Sequence, residues 1–397
     1  MPAKPLNKEI YIVAAKRTPF GTFGGKLKDL SAIDLGVIAT KAALEAGNVD
    51  PSAVDHVVVG NVAQTSADAI YMARHIGLKS GVPIETPALT INRLCGSGFQ
   101  SVVNGAQQIL LGDADIVVTG GAENMSQAPF TARGIRFGIR LGKAPELEDT
   151  LWSSLSDPHA GCAMGQTAEN LAKKYDITRE QADEYGLRSQ KAWANAQENG
   201  YFKAELAPVE IKSRKGVSTF EVDEHPRPDA NLESMAKLRP NFGGVVTAAN
   251  ASGIGDGAGA IIIASGDAVK KHNLTPLARL VQWGITGVEP TIMGIGPVSS
   301  IKKALDRSGL GLNDMDLIEI NEAFAPQYLA CEKELELDRS KVNVNGGAIA
   351  MAHPLAASGS RITTHLVHEL RRRDGKYAVG SACIGGGQGI ALVLEKA

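Results

Sequence analysis

Three patterns in the sequence predict an α/β protein built from two similar halves with an inserted module. Short apolar runs alternate with helical stretches from Glu9 to Thr119, which implies a mainly parallel sheet with helices on its faces. The same order of elements returns near the C-terminus without close repetition of residues. Between the two, from about Glu123 to Asn241, charges are denser and strands few. The expected division is 1–122 completed by 245–273, an inserted loop module over 123–244, and a second half over 274–397.

The first strand is Glu9 to Ala15, followed by a turn-rich loop from Arg17 to Gly25 and a helix that Ser31 caps and Gly47 ends. Buried strand His56 to Val59, helix Ala67 to Leu78, strand Ala88 to Asn92, helix Ser97 to Leu111 and strand Asp115 to Thr119 complete the alternation. A long polar helix, Arg179 to about Glu198, is the clearest element of the inserted module. The apolar strand Ala258 to Ala264 then rejoins the first sheet. In the second half the matching elements are helix 297–308, strand Asp316 to Ile320, strand Lys341 to Val344, helix Ser358 to Arg372 and strand Tyr377 to Cys383. In such sheets ligands lie beyond the carboxyl ends of the strands, so Cys95, Asn321, His353 and Cys383 can face one crevice.

A chain of 397 residues exceeds one hydrophobic core, and a formal net charge of -2 leaves no basic stripe for nucleic acid. An anionic ligand would need a local patch, for which Lys212, Arg214 and Lys215 are one candidate and a solvated strand end the plainer account. Four cysteines, none close to another, fit neither a disulfide framework nor a metal site and suit a reducing compartment. With eight residues before the first strand, no signal peptide or cleavable presequence is expected, and no apolar run reaches membrane-spanning length.

Cys95, in Asn92-Arg-Leu-Cys-Gly-Ser-Gly98, stands between a strand and a helix start. Such a position can lower a thiol's pKa and bring glycine amides to a developing oxyanion, although the same residues also suit a small buried cysteine before a turn. Cys383 is followed by three glycines, which a packed structural cysteine does not need and a thiol approached closely by substrate does. His353, in a run of small residues before Pro354, can activate a thiol or can be a satisfied structural residue. His365 and His368, on a polar helix beside Arg371 to Arg373, take the structural reading, and Cys162 and Cys331 are packing residues. Two thiols and a histidine suggest acyl transfer through a thioester, with one cysteine carrying the acyl group and the other moving protons. An enzyme thioester is nearly isoenergetic with a thioester substrate, so exchange is favoured over hydrolysis.

Six motifs carry a family resemblance: Asn92-Arg-Leu-Cys-Gly-Ser-Gly, Gly120-Gly-Ala-Glu-Asn-Met-Ser, Asn250-Ala-Ser-Gly, Asn321-Glu-Ala-Phe-Ala, Asn345-Gly-Gly-Ala-Ile-Ala and Cys383-Ile-Gly-Gly-Gly-Gln-Gly. Together they resemble those of the thiolases over essentially the whole chain. Segments such as Ser66 to His75 and Val222 to Pro228 are most similar to the mitochondrial 3-ketoacyl-CoA branch. The resemblance implies a five-layered fold and CoA-dependent cleavage of 3-ketoacyl-CoA, with acetoacetyl-CoA synthesis as the alternative and a non-catalytic acyl-CoA-binding protein as a remoter one. It implies Cys95 as nucleophile, activated by His353, and Cys383 as general acid/base. Asn321, through a water, and the backbone amide of Gly385 would serve oxyanion holes. Arg227, Ser252, Ala248, Met164 and Phe324 match the family's CoA contacts. No permanent cofactor or metal is expected, CoA being a substrate. Assembly as a homotetramer, a dimer of dimers, or as a homodimer is implied, in a mitochondrial matrix or a bacterial cytoplasm. Ala352 and Ala356 stand where the family has glycine, and alanine at a positive φ would strain the histidine loop by roughly one to a few kcal/mol.

Overall fold

The structure, a computed structural model, describes residues 5–214 and 216–397. Nine strands carry the frame: β1 (Ile10–Arg17), β2 (His56–Gly60), β3 (Ala88–Ile91), β4 (Ile116–Asn124), β5 (Gly255–Ser265), β6 (Ala278–Gly287), β7 (Leu317–Ile320), β8 (Tyr377–Ile384) and β9 (Gln388–Lys396). They form one continuous sheet in the order β7-β8-β9-β6-β1-β5-β4-β2-β3, with the short strand Gly21–Thr22 paired to β5. The sheet is mixed rather than mainly parallel. Pairs β2·β3, β2·β4 and β7·β8 are parallel. The central β5 is antiparallel to both β1 and β4, and β9 to both β6 and β8. The two halves meet where β1 pairs with β6 over only Tyr11↔Arg279 and Ile12↔Ala278.

The main helices are α1 (Ala32–Ala46), α2 (Met72–Lys79), α3 (Ser97–Leu111), α4 (Met164–Lys174), α5 (Arg179–Glu198), α6 (Gly296–Ser308), α7 (Ala325–Leu335) and α8 (Leu355–Arg373). Ser31 accepts from the Asp34 amide in a capping box and starts α1 as expected. The helix expected from Ala67 begins later: Ser66 bonds the Asp68 carboxylate, residues Ala69–Tyr71 form a tighter turn, and α2 runs from Met72.

Strand alternation sorts the apolar residues into layers. Val57 and Val59 face α1 and α2, where they pack with Ile33, Met72 and Ile76. Val58, with Val117 and Ile261, turns the other way onto Phe99 and Val102 of α3 and Ile362 of α8. Leu317, Ala378 and Leu392 of the second half pack on the same pair of helices from the opposite side. Val379 and Val393 face outward onto Ile301 of α6 and Leu329 of α7. Helices, one half of the sheet, the helix pair α3 and α8, the other half of the sheet and helices again give five layers.

The segment 341–344 is not a sheet strand. It meets the edge of β7 through the isolated parallel bridge Ile318↔Val342, a second bridge, Val344↔Gly346, being local, and Asn343 at φ +47° turns the chain away while its side chain bonds both the N–H and the C=O of Ile320. Buried ion pairs fasten the segment between β4 and β5 to the sheet. Arg17, at the end of β1, meets Glu205 and Asp223 at 2.7 Å each, and all three are buried. Removing one partner would leave an uncompensated charge in the interior.

Candidate active site

Cys95 sits in the tight turn Leu94–Gly96 that leads into α3. Leu94 is held at φ +46°, a left-handed conformation costly for a branched residue. Its N–H is taken by Asn92 Oδ1 at 2.8 Å, and its C=O accepts from Ser97 Oγ at 2.7 Å. Those bonds fix the elbow that presents the thiol. Gly96 and Gly98 serve close packing: a Cβ on Gly98 would lie 2.4 Å from the Ser360 amide nitrogen of α8. The expectation of a depressed thiol pKa is not met. Apolar surroundings desolvate Cys95 and push it up to about 11, and the hydrogen bond from the Gly385 amide only partly offsets this.

Cys383, next to last in β8, pairs with Gly389 of β9 and is fully buried among Met293, Ala323, Met164 and Phe324. Burial holds its thiol well above the ordinary value, and charge on Cys95 raises it further, so the two sulfurs do not ionise together. Gly386 and Gly387, at φ +78° and +81°, make the turn between β8 and β9 that no other residue adopts cheaply.

His353 lies between a single helical turn, Ala348–Met351, and α8. Its Nδ1 bonds Ser358 Oγ, whose hydroxyl donates on to Pro354 O, and Nε2 accepts a long 3.3 Å bond from Asn321 Nδ2. Those partners place the proton on Nδ1. Burial, with Arg361 nearby, pushes the imidazole down to about 3, so it is neutral. Asn321 follows β7 and its amide donates to Ser381 O of β8, while its Oδ1 is buried with no partner among the described residues. Glu322 next to it gathers Tyr185, Ser189, Asn343 and the Ile349 amide, tying α5 and the histidine loop to the end of β7.

Of the two alanines in that loop, one is strained. Ala352 has φ +77° and ψ 172°, a region that belongs almost solely to glycine, whereas Ala356 is an ordinary residue in the first turn of α8. Ala352→Gly is therefore expected to stabilise the protein by ~1 kcal/mol, after glycine's own entropy cost is subtracted. Thermal or urea unfolding would read this, and an unchanged or lower midpoint would show that the loop carries no such strain.

A cavity of about 210 Å³ opens on Cys95 and His353. Met164, Ser252 and Phe324 line it together with Met125, Trp152, Leu155, Phe242 and Leu355, so its wall is mainly apolar. Arg227 and Ala248 instead line a neighbouring cavity of about 560 Å³. The two share a wall, because the ring of His225, which lines the second, packs against Gly253, which lines the first. Lys212 and Arg214 lie on or beside the hairpin Val209–Ser213/Gly216–Phe220 and line neither cavity; Lys215 is outside the described residues. His365 is buried rather than on a polar face, bonded to Glu205 and Asn345, and Cys331 is buried against Gly294 O. Among the described residues no group of three or more metal-ligating side chains exists, and no helix is long and apolar enough to cross a membrane.

Sequence reasoning passed over Ser358 and Leu94. A serine five residues after a histidine, at the start of a helix, was available as a signal for the first; nothing in the sequence marks the second.

One thiol and a neutral imidazole on an apolar cavity, with a second thiol buried behind its wall, form an arrangement suited to acyl transfer on a layered α/β frame. The thiolase N-terminal domain model matches residues 10–267 and the thiolase C-terminal domain model residues 274–396. The chain belongs to the thiolase family. It is 63% identical over 392 residues to the mitochondrial 3-ketoacyl-CoA thiolase of Bos taurus, covering 98% of this chain and 99% of that one. It is 47% identical over 391 residues to an acetyl-CoA acetyltransferase of Cupriavidus necator, covering 98% and 99%. The crystal structure of human mitochondrial 3-ketoacyl-CoA thiolase in complex with CoA superposes with a TM-score of 0.97 at 61% identity, covering all of both chains.

Proposed function

We propose that the chain catalyses the CoA-dependent thiolytic cleavage of 3-ketoacyl-CoA to acetyl-CoA and a shortened acyl-CoA, as in fatty acid β-oxidation. The observation that supports this is that Cys95 and neutral His353 line one apolar cavity while Cys383 is buried directly behind its wall residues Met164 and Phe324. Cys95 attacks the C3 carbonyl as His353 takes its proton. Both groups start neutral, so proton transfer accompanies attack rather than preceding it. The C2–C3 bond breaks, Cys383 protonates the departing acetyl-CoA carbanion, and the acyl group stays on Cys95 as a thioester. Cys383 then takes the proton of an incoming CoA thiol, whose sulfur attacks the acyl-enzyme, and His353 returns its proton to the Cys95 sulfur as that leaves.

Asn321 Oδ1 would hold a water that, with His353, faces one developing oxyanion; the amides of Cys95 and Gly385 face the other. The Gly385 N–H is near enough to the Cys95 sulfur to favour its charged form, which supports that placement. CoA enters as substrate. The apolar wall with Met164, Ser252 and Phe324 suits its thiol-bearing arm, and the cavity with Arg227 and Ala248 its polar remainder. This reading keeps 123–244 as the module that receives CoA, set between 1–122 with 245–273 and 274–397.

The first experiment is turnover with 3-ketoacyl-CoA of four and of longer carbon chains. Loss of activity beyond four carbons would favour synthesis of acetoacetyl-CoA, the reading that the Cupriavidus relative supports. No turnover with any chain length would leave a non-catalytic acyl-CoA binder. We place the protein in a mitochondrial matrix, with a bacterial cytoplasm as the alternative, a point that cell fractionation decides. Assembly as a homotetramer or homodimer is supported by nearly fully exposed Phe137 and Leu141 and by exposed Phe130 and Leu147, and a monomer in sedimentation equilibrium would overturn it.

A further inference from the structure

Glu123, near the end of β4, is fully buried, and among the described residues it makes no salt bridge. Its carboxylate accepts four N–H donors: Asn61 Nδ2 at 3.0 Å, the Val62 amide at 3.1 Å, the Ala63 amide at 2.9 Å and the Ala356 amide at 3.1 Å. These donors come from two separate places. Residues 61–63 follow β2, whereas Ala356 is in the first turn of α8, more than two hundred residues later.

Each place leads to one reacting group. The Val62 carbonyl accepts from Asn92 Nδ2, Asn92 Oδ1 in turn holds the Leu94 amide, and Leu94 is the strained residue that sets Cys95. Val62 also packs in the same apolar cluster as Cys95. On the other side, the N-cap of α8 is Pro354, whose side chain makes no capping bond, so Glu123 supplies the missing acceptor from another element. That first turn carries Ser358, the partner of His353 Nδ1. Gly121, two residues before Glu123 on the same face, lets the turn approach: a Cβ there would lie 1.9 Å from Ala356 O.

We propose that Glu123 is a positioning residue that sets Cys95 and His353 in register through its bonds to the 61–63 loop and to the N-terminus of α8. The inference rests on the roles given above to those two groups. All four partners are donors, so a carboxylate satisfies them and a carboxamide does not. Burial pushes the Glu123 carboxyl up to about 7, against the pull of its three amide partners, which shows the cost of keeping an acid here.

The test is steady-state thiolysis by Glu123→Gln in the full-length enzyme, at a temperature where its melting curve shows it folded. The expected result is a fall in kcat of about 10- to 100-fold, as for displaced reacting groups. The KM values for CoA and 3-ketoacyl-CoA should stay within about twofold, since neither ligand touches Glu123. Glu123→Asp, which keeps the charge, should recover part of the loss. If Glu123→Gln does not fold, Asn61→Ala withdraws only one side-chain donor from the carboxylate and is expected to lower kcat in the same sense by a smaller factor. A kcat unchanged in the folded variants, or a loss expressed in KM, would overturn the proposal and leave Glu123 a purely structural acid. Absence of thiolysis in the wild-type protein would instead overturn the roles of Cys95 and His353 themselves.

Discussion

Cys95→Ser is expected to leave no covalent acyl-enzyme and to cut thiolysis by ~10⁴-fold or more. A thiol is the only nucleophile whose acyl derivative matches the substrate thioester in energy, and a hydroxyl in the same desolvated wall is a far weaker acid. The elbow at Leu94 and the packing of Gly96 and Gly98 are indifferent to the exchange, so the variant should fold and melt like the parent. Mass spectrometry after mixing with 3-ketoacyl-CoA reads the outcome directly. An acyl adduct in the variant would assign the nucleophile elsewhere.

Cys383→Ala should lower turnover by about 10²- to 10⁴-fold, the range for loss of a general acid/base. Cys95 should remain open to alkylation, because its acidity is set by burial and by the Gly385 amide rather than by the second sulfur. Full turnover in this variant would sink the proton-transfer role. The pair of results separates the two thiols: one variant loses the adduct, the other keeps a reactive Cys95 and loses the cycle.

Much of the frame was legible because its signals are local. Buried runs such as His56 to Gly60, the Ser31 cap and the glycines after Cys383 name their elements by composition alone. Strand direction is not local. A strand buried on both faces, such as β5, reads the same whether its neighbours run with it or against it, and the mainly parallel expectation fails there. Segment 341–344 looks like a strand because its apolar residues alternate, yet Asn343 spends its side chain on β7 and turns the backbone away. Within the site, the residue types pointed to Cys95, His353 and Cys383, and the structure brings them to one place. The ionisation of Cys95 could not be foreseen, since desolvation by residues as distant as Leu355 outweighs the adjacent helix end. Ala352 was suspect from its neighbours, and only the backbone angle decides between it and Ala356.

The position of β5 also sets the order in which the chain can mature on the ribosome. This strand lies between β1 and β4, pairing Ile10 to Arg17 on one side and Ile116 to Asn124 on the other, yet it is made some 130 residues after β4. At ordinary elongation rates the nascent protein carries two bare apolar strand edges for on the order of ten seconds. Translation through Ser265 is thus the step at which the amino-terminal half can first close, and until then a holding chaperone has a physical target in those edges.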